Sequence, residues 1–286
     1  MVTAPLVISL FQARPLLDAR KKGLDSTVSS PDLGVSRVRV ELYTEGVVFP
    51  GHEPLSWDGL EAVARAETSC FMRGDDGALV KIQAFSEKTD RPVSLYPTVG
   101  APTVLVAGRS MHRIKGTDPW ADTVQKIKAV GAGTGRVLDT CTGLGYTAIL
   151  AARTAASVET VEFDPKVSDI ARFNPWSREL FDNPKITRHF GDSFDVIDGF
   201  PDGAFSRIIH DPPEFALAGH LYSLEFHRKL FRALAKGGRL FHYIGNPEST
   251  SGKRNTAGVI KRLKEAGFIN VVEAKAAFGV SARKGG

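Results

Sequence analysis

The chain has 286 residues, of which 42% are apolar, and its formal net charge is +5. This apolar content is sufficient for the core of one large domain and a smaller one. No segment reaches the roughly 18 uncharged apolar residues of a membrane helix, and no basic leader with a small-residue cleavage site opens the chain. Cys70 and Cys141 exclude a disulfide framework and have no metal-ligand spacing. We therefore expect a soluble cytoplasmic protein without membrane association or a metal site.

Residues 1–115 predict a β-rich N-terminal domain, because short apolar runs alternate with glycine-rich turns. Val38, Val40 and Leu42 alternate with charged residues, which is typical of a half-exposed antiparallel strand. Further predictions are strands at 46–49, 70–72, 79–85 and 104–107 and a helix at 57–67. The second predicted domain covers residues 116–286 and opens with a helix to about residue 130, for which Pro119 suits the first turn.

The segment 137–145 carries the first chemical motif. An apolar strand ends on Asp139, and Gly143 and Gly145 follow it. Because glycine has no Cβ, such a turn lets backbone N–H groups approach a ligand closely, which predicts a nucleoside cofactor. A dinucleotide fingerprint with Ala148 in the last glycine position is one alternative. The carboxylate would repel a diphosphate, however, and favours a ligand that carries an ammonium or sulfonium group.

This strand, acid and glycine arrangement resembles the first motif of class I S-adenosylmethionine-dependent methyltransferases. The resemblance implies an α/β fold, a Rossmann-like doubly wound sheet of seven strands, and S-adenosyl-L-methionine as cofactor. It also implies that the pocket for the cofactor includes Asp139, Thr140, Gly143, Gly145 and Tyr146.

Two later strand ends continue the resemblance. Glu162 follows the glycines by about 20 residues, at the end of a second strand. The family's second motif implies that Glu162 accepts hydrogen bonds from both ribose hydroxyls and that Phe163 flanks the adenine. A third strand at 186–190 precedes Asp192 and Ser193, and the resemblance makes Asp192 an acceptor for the adenine amino group.

Strands and helices alternate through the rest of the second domain. We predict strands at 205–211, 239–245, 268–274 and 278–283, and helices at 221–235 and 253–266. Such alternation is typical of a doubly wound sheet, in which ligands bind outside the carboxyl ends of the strands.

The segment Asp211-Pro212-Pro213-Glu214 resembles the D/N-P-P-Y/F signature of amino-group methyltransferases. The resemblance implies that Asp211 accepts a hydrogen bond from a target amine. The chain departs from the signature at Glu214, since the aromatic Phe215 comes one position later. His210 beside Asp211 is a candidate base.

The segment before the first strand often closes over the cofactor in this family. Tyr96 is therefore a candidate catalytic residue, and Arg113 a candidate partner of the cofactor carboxylate.

Together these motifs predict a methyltransferase that acts on a small molecule or on RNA, with the β-rich domain covering or selecting the acceptor. RNA is considered because residues 227–264 contain ten Lys and Arg residues and one acidic residue. The alternative reaction attacks the 3-amino-3-carboxypropyl arm, either transferring it or cyclising it to azetidine-2-carboxylate with release of methylthioadenosine. A non-catalytic binding module is a third hypothesis, which the intact acid and glycine positions disfavour. The oligomeric state is not predicted.

Overall fold

A computed structural model of the chain describes residues 5–74, 76–246 and 250–286, with the side chains of residues 250 and 251 excepted. The chain divides into two compact units. The first comprises Met1–Trp120 and Lys166–Arg178, and the second comprises Ala121–Pro165 and Glu179–Gly286. Nothing in the sequence pattern indicated that residues 166–178 group with the N-terminal part of the chain.

The first unit contains three small antiparallel sheets, and its predicted β-rich character is confirmed. The strand orders are β1-β6-β7, β2-β3-β4-β5 and β8-β9-β10-β11. These strands are β1 Val7–Ile8, β2 Ser26–Ser29, β3 Val38–Leu42, β4 Gly46–Val48, β5 Leu55–Ser56, β6 Phe71–Arg73, β7 Leu79–Lys81, β8 Gln83–Ser86, β9 Arg91–Tyr96, β10 Thr103–Val106 and β11 Arg109–Ser110.

Two helices, α1 Leu10–Lys21 and α2 Trp57–Arg65, complete the core of the first unit. Ser9 caps α1 in a capping box with Gln12, which satisfies backbone donors at the start of the helix. The helix buries Leu10, Ala13, Leu16 and Ala19 on one side. Sequence analysis did not predict α1, which contains Pro15 in its interior, a residue normally unfavourable there.

The second unit is built on one sheet of seven strands in the order β14-β13-β12-β15-β16-β18-β17. Its strands are β12 Arg136–Asp139, β13 Ser157–Glu162, β14 Ile186–Phe190, β15 Phe205–His210, β16 Leu234–Tyr243, β17 Ile269–Ala274 and β18 Gly279–Arg283. The first five are parallel, and β18 is antiparallel to both of its neighbours. This topology confirms the predicted fold class.

The remaining helices follow in chain order. They are α3 Pro119–Val130, α4 Tyr146–Ala152, α5 Pro165–Arg172, α6 Arg178–Asp182, α7 Ser193–Val196, α8 Phe215–Ala218, α9 Leu224–Ala233 and α10 Thr250–Glu265. Short 3-10 helices lie at Pro175–Ser177, Ile197–Gly199, Gly219–Tyr222 and Lys275–Ala277. No helix in the described ranges is long and apolar enough to cross a membrane.

The strand order of the large sheet reverses at β12. From β12 the chain proceeds outward to β13 and β14, and it then returns to place β15 on the other side of β12. Ligands in doubly wound sheets bind at such a switch point, outside the carboxyl ends of the strands. The turn after β12 and the loop after β15 therefore define where a site is expected.

Three buried histidines pack together in the core of the second unit. His210 on β15 and His242 on β16 have ring centroids 4.4 Å apart, and His227 on α9 lies 5.2 Å from His242. Burial lowers the pKa of His227 to about 3, and neither of its ring nitrogens has a hydrogen-bond partner in the described part of the chain. His227 is therefore a neutral core residue whose protonation opposes folding.

Replacing His227 by Leu tests this conclusion. An unfolded histidine binds a proton below its ordinary pKa of 6.5, whereas His227 in the folded protein binds one only near a pKa of about 3. The wild type thus loses stability as the pH falls below 6.5, and the variant lacks this loss. We expect the difference in unfolding free energy to grow in favour of His227→Leu by up to about 1.4 kcal/mol per pH unit.

Urea unfolding of both proteins at pH 8, 6 and 5 measures this difference. Titrating groups that do not interact with His227 cancel in the comparison, and removing His227 relieves its lowering effect on the pKa of His210 and of His242, which acts in the same direction. A difference that stays constant with pH would contradict the assignment.

Candidate functional site

The turn after β12 is bound to both neighbouring strands. The backbone N–H of Thr140 donates to the carbonyl of Ile209 on β15 at 3.0 Å, and that of Thr142 donates to Val161 on β13 at 2.9 Å. The Thr140 hydroxyl forms a hydrogen bond of 2.7 Å with His210 Nδ1. The turn is therefore held rigidly at the switch point of the sheet.

Asp139 lies fully inside the protein rather than in the opening of the turn. Its Oδ2 accepts from the hydroxyls of Thr160 on β13, at 2.8 Å, and Thr147 on α4, at 3.0 Å. Burial raises the pKa of Asp139 to about 7, although the two hydroxyls act in the opposite direction. Asp139 thus joins β12, β13 and α4 and would act on a ligand by shaping the turn.

The two glycines have different roles. Both have positive φ values, 53° at Gly143 and 78° at Gly145, which favour glycine. A Cβ at Gly145 would lie 2.6 Å from Cδ2 of the buried Leu180, whereas a Cβ at Gly143 would meet nothing within 4 Å. Gly145 is therefore required for packing, and Gly143 borders open space.

Glu162 lies at the end of β13, beside this open space. Its Oε2 accepts from the N–H of Gly143 at 2.8 Å, and its Oε1 accepts from the N–H of Asp164 at 2.9 Å. Burial raises the pKa of Glu162 to about 7, against the lowering effect of these two donors. The adjacent Phe163 is 45% exposed. This combination fits a ribose and a flanking adenine ring.

Asp192 and Ser193 form contacts within the protein. Asp192 caps α7, because its Oδ1 accepts from the N–H of Phe194 at 2.9 Å, while its Oδ2 lies 2.9 Å from His220 Nε2. Ser193 donates its hydroxyl to the carbonyl of Thr140. Ser193 therefore supports the turn after β12, and Asp192 already has a partner on each oxygen.

A buried lysine, which sequence analysis missed, lies beside Asp211 in the loop after β15. Lys126 Nζ on α3 is 2.7 Å from Oδ2 of Asp211 and 3.0 Å from Oδ2 of Asp122. The ammonium also lies 4.4 Å from the centre of the Tyr243 ring. The only sequence signal was the i, i+4 spacing of Asp122 and Lys126 on a predicted helix.

Negative charge exceeds positive charge in the group formed by Lys126, Asp122 and Asp211. Burial alone would lower the pKa of Lys126, but the carboxylates of Asp211 and Asp122 outweigh it and hold that pKa above its ordinary value. Burial also raises the pKa of Asp211, which Lys126 opposes. One ammonium thus faces two carboxylates, and Glu162 and Asp139 add further acids at the same edge of the sheet. The site favours a cationic ligand.

The geometry argues against His210 as a base. Its Nδ1 is bonded to Thr140, and its Nε2 lies 3.0 Å from the carbonyl of Leu221. Burial lowers the pKa of His210 to about 3. The ring is neutral and fully buried, so it holds the loop after β15 in place.

Tyr146, Tyr96 and Arg113 are the remaining predicted residues. Tyr146 is almost fully buried in the first turn of α4, where it contributes to packing. Tyr96 ends β9 and Arg113 follows β11, and both belong to the first unit. Their proposed roles, and that of the β-rich unit in selecting an acceptor, stay predictions.

Comparison with known proteins identifies the family. No protein-family model matches the chain. The chain is 45% identical to the uncharacterized protein MJ1233 of Methanocaldococcus jannaschii over 232 residues, which cover 80% of this chain and 78% of that protein. The chain belongs to the MJ1233 family.

Two further comparisons relate this MJ1233 family member to enzymes. A polyamine aminopropyltransferase of Mycobacterium tuberculosis is 31% identical over 146 residues, covering 48% of this chain but only 27% of that enzyme. The crystal structure of a spermidine synthase with the transition state analogue AdoDATO has a TM-score of 0.57 at 19% identity and covers 73% of this chain and 76% of that one. The crystal structure of spermidine synthase from Thermotoga maritima has a TM-score of 0.55 at 18% identity, with the same coverage of both chains. These structures share the fold of this MJ1233 family member.

The two glycines of the turn provide a matched pair of variants. We expect Gly145→Ala to lower the unfolding free energy by about 2 to 4 kcal/mol, because it combines left-handed backbone strain with a clash against Leu180. Gly143→Ala introduces only the backbone strain and should lower the unfolding free energy by about 1 to 2 kcal/mol. Denaturant unfolding of both variants measures the difference, and equal losses would contradict the packing role of Gly145.

Proposed function

We propose that the protein is a transferase that moves an alkyl group, methyl in the first instance, from the sulfonium of S-adenosylmethionine to an amine nitrogen. The observation that carries this proposal is the pair of acceptors after β15. Asp211 Oδ2 is held by Lys126, while neither Asp211 Oδ1 nor the Pro212 carbonyl accepts a hydrogen bond within the described part of the chain. An acid and a backbone carbonyl are the acceptors implied by the D/N-P-P-Y/F signature.

The residues after β12 and β13 fit the adenosyl part of the cofactor. An ionised carboxylate has about four lone-pair positions, so Glu162 can accept from two ribose hydroxyls in addition to its two backbone donors. The open space at Gly143 admits a ligand close to the backbone, and the exposed ring of Phe163 provides an apolar surface. When bound, the cofactor supplies a carbon that is already activated by the sulfonium.

The acidic character of the site supports a positively charged donor. Lys126 is shared between Asp122 and Asp211 and does not neutralise both. A sulfonium or ammonium near these buried carboxylates interacts more strongly than it would in water, because the surroundings are less polar. The same arrangement disfavours the diphosphate of a dinucleotide.

The proposed role of the protein side chains is to orient the acceptor. Lys126 holds one oxygen of Asp211, so that the other oxygen can direct the amine lone pair towards the activated carbon. Such alignment can supply a large part of a transfer rate without a dedicated base. The absence of a dedicated base is consistent with His210, whose neutral ring is hydrogen-bonded at both nitrogens.

A second candidate reaction is attack on the three-carbon arm of the donor rather than on its methyl group. The specific observation in its favour is the local similarity to polyamine aminopropyltransferase. In this case the group transferred is aminopropyl or 3-amino-3-carboxypropyl, and the same acceptor loop would orient the amine. Cyclisation of the arm to azetidine-2-carboxylate is the version without a separate acceptor.

The nucleoside product distinguishes these reactions. The purified protein is incubated with S-adenosylmethionine or its decarboxylated form, alone and with small amines or RNA. S-adenosylhomocysteine indicates methyl transfer, and methylthioadenosine indicates reaction at the arm. Asp211→Ala should retain donor binding and lose on the order of 10²-fold in turnover, because no side-chain acceptor then aligns the amine. If no nucleoside product forms under any condition, the proposed function is wrong.

Glu162 gives a test that does not require turnover. Because burial raises the pKa of Glu162 to about 7, the carboxyl must lose a proton to accept from both ribose hydroxyls. Affinity for S-adenosylhomocysteine should therefore fall as the pH drops below about 7, by up to tenfold per unit. Glu162→Gln should bind roughly 10- to 150-fold more weakly at pH 8, through loss of charge-assisted hydrogen bonds.

Titration calorimetry between pH 6 and pH 8 measures both effects. Asp139 titrates in the same range but is present in both proteins, so the difference between them isolates Glu162. An unchanged affinity and pH profile in Glu162→Gln would show that Glu162 does not bind the ribose.

A further inference from the structure

A basic groove lies in the second unit, between one face of α10 and the segment that joins β17 to β18. Its volume is about 810 Å³. The side chains that define this basic groove are Lys253, Lys261, Lys264, Glu273, Lys275 and Phe278. Four lysines thus face one glutamate, and none of these charged side chains is buried.

The lysines of α10 form a row along the groove. Lys253, Lys261 and Lys264 are spaced so that they share one helix face, and they extend over about 17 Å at the helical rise of 1.5 Å per residue. Within the described residues only Lys261 has an ion-pair partner, Glu265 at 3.8 Å, and both of these groups are exposed. The row therefore keeps its positive charge for an external partner.

One end of the basic groove, at Lys275 and Phe278 after β17, lies at the same edge of the sheet as the loop after β15. Both β16 and β17 are antiparallel to β18, so their carboxyl ends point the same way as the end of β15. Three strand spacings, about 14 Å, separate β15 from β17. The N–H groups of Ile244 and Gly245, which follow β16, donate to the Phe278 carbonyl at 3.0 and 3.3 Å. The backbone of Phe278, which lines the groove, is thus hydrogen-bonded to the chain segment that follows Tyr243.

The region around Asp211 and the basic groove have opposite charge. Carboxylates surround the acceptor position, whereas lysines line the groove. A ligand that suits both must place a neutral or cationic group at Asp211 and anionic groups along α10. Phe278 adds an aromatic side chain in the left-handed backbone region, with φ 55°, a conformation that bulky residues rarely adopt.

We propose that the basic groove binds the phosphodiester backbone of a single-stranded RNA whose base amino group is the acceptor at Asp211. Lysines that follow a backbone and an aromatic ring on which a base stacks are the two features used by proteins that bind single strands. The acidic centre excludes phosphates and admits the base. This inference rests on the proposed transferase function and defines its substrate class.

Fluorescence anisotropy with a labelled single-stranded RNA of about 12 nucleotides tests the groove without any donor. The triple variant Lys253→Gln, Lys261→Gln, Lys264→Gln should bind more weakly. The slope of its plot of log affinity against log salt concentration should be less steep by about 2. Three phosphate contacts are lost, and each contributes roughly 0.7 to the slope. The matched control Lys21→Gln, Lys128→Gln, Lys236→Gln removes the same charge at exposed lysines outside the groove and should keep the wild-type slope.

Phe278→Ala separates stacking from charge. We expect this variant to bind at least roughly fivefold more weakly with an unchanged salt slope, since stacking involves no counterion release. Inorganic polyphosphate at equal phosphate concentration should compete poorly with RNA. Absence of RNA binding, equal losses in the two triple variants, or polyphosphate competition as strong as that of RNA would each overturn the proposal.

The outcomes also separate this inference from the proposed function. RNA that binds in the groove but yields no nucleoside product with any donor supports the groove and contradicts the transferase. A nucleoside product formed from a small amine by a protein that does not bind RNA supports the transferase and overturns the groove.

Discussion

The buried carboxylate of Asp139 is the interaction on which the candidate site depends. It ends β12 and accepts hydrogen bonds from Thr160 on β13 and Thr147 on α4, so that a single side chain connects three elements around the switch point of the sheet. The cost of burying this acid is reflected in its raised pKa. Because its position is set by internal contacts, the turn that follows presents Gly143 beside Glu162 with little freedom to rearrange.

A second constraint is the unequal number of buried charges next to this turn. Lys126 stabilises the carboxylates of Asp211 and Asp122. Removing the lysine, or removing both carboxylates, would leave a charge without compensation in the interior. The arrangement directs one oxygen of Asp211 to Lys126, and in the proposed function the other oxygen binds the acceptor. Electrostatics thus couple α3 to the loop after β15, and they support the positively charged donor of the proposed function.

The large sheet of this MJ1233 family member has the fold of spermidine synthase, and the proposed function leaves two reactions at a sulfonium donor. Methyl transfer and transfer of the three-carbon arm need the same adenosyl pocket and differ in which carbon faces the acceptor. In the proposed function both reactions use the turn after β12, Glu162 and the loop after β15. The surroundings of the proposed acceptor are acidic at Asp211 and basic along α10.

Much of the fold could be predicted because its signals are local. An apolar strand ending in an acid, two glycines and the regular alternation of strands and helices indicated the doubly wound sheet, and Glu162 follows from its distance along the chain. The β-rich first part was also visible, but α1 was missed because Pro15 interrupts the helical pattern.

The sequence by itself thus determined the fold class, the turn after β12 and the strand ends that border the candidate site. Only the tertiary structure decided what each side chain contacts there. It placed Asp139 and His210 in the interior, gave Asp192 the role of a helix cap with a histidine partner, and brought Lys126 to Asp211 across 85 positions of sequence. Motifs report residue types at short spacing, whereas burial and long-range pairing depend on how distant elements pack.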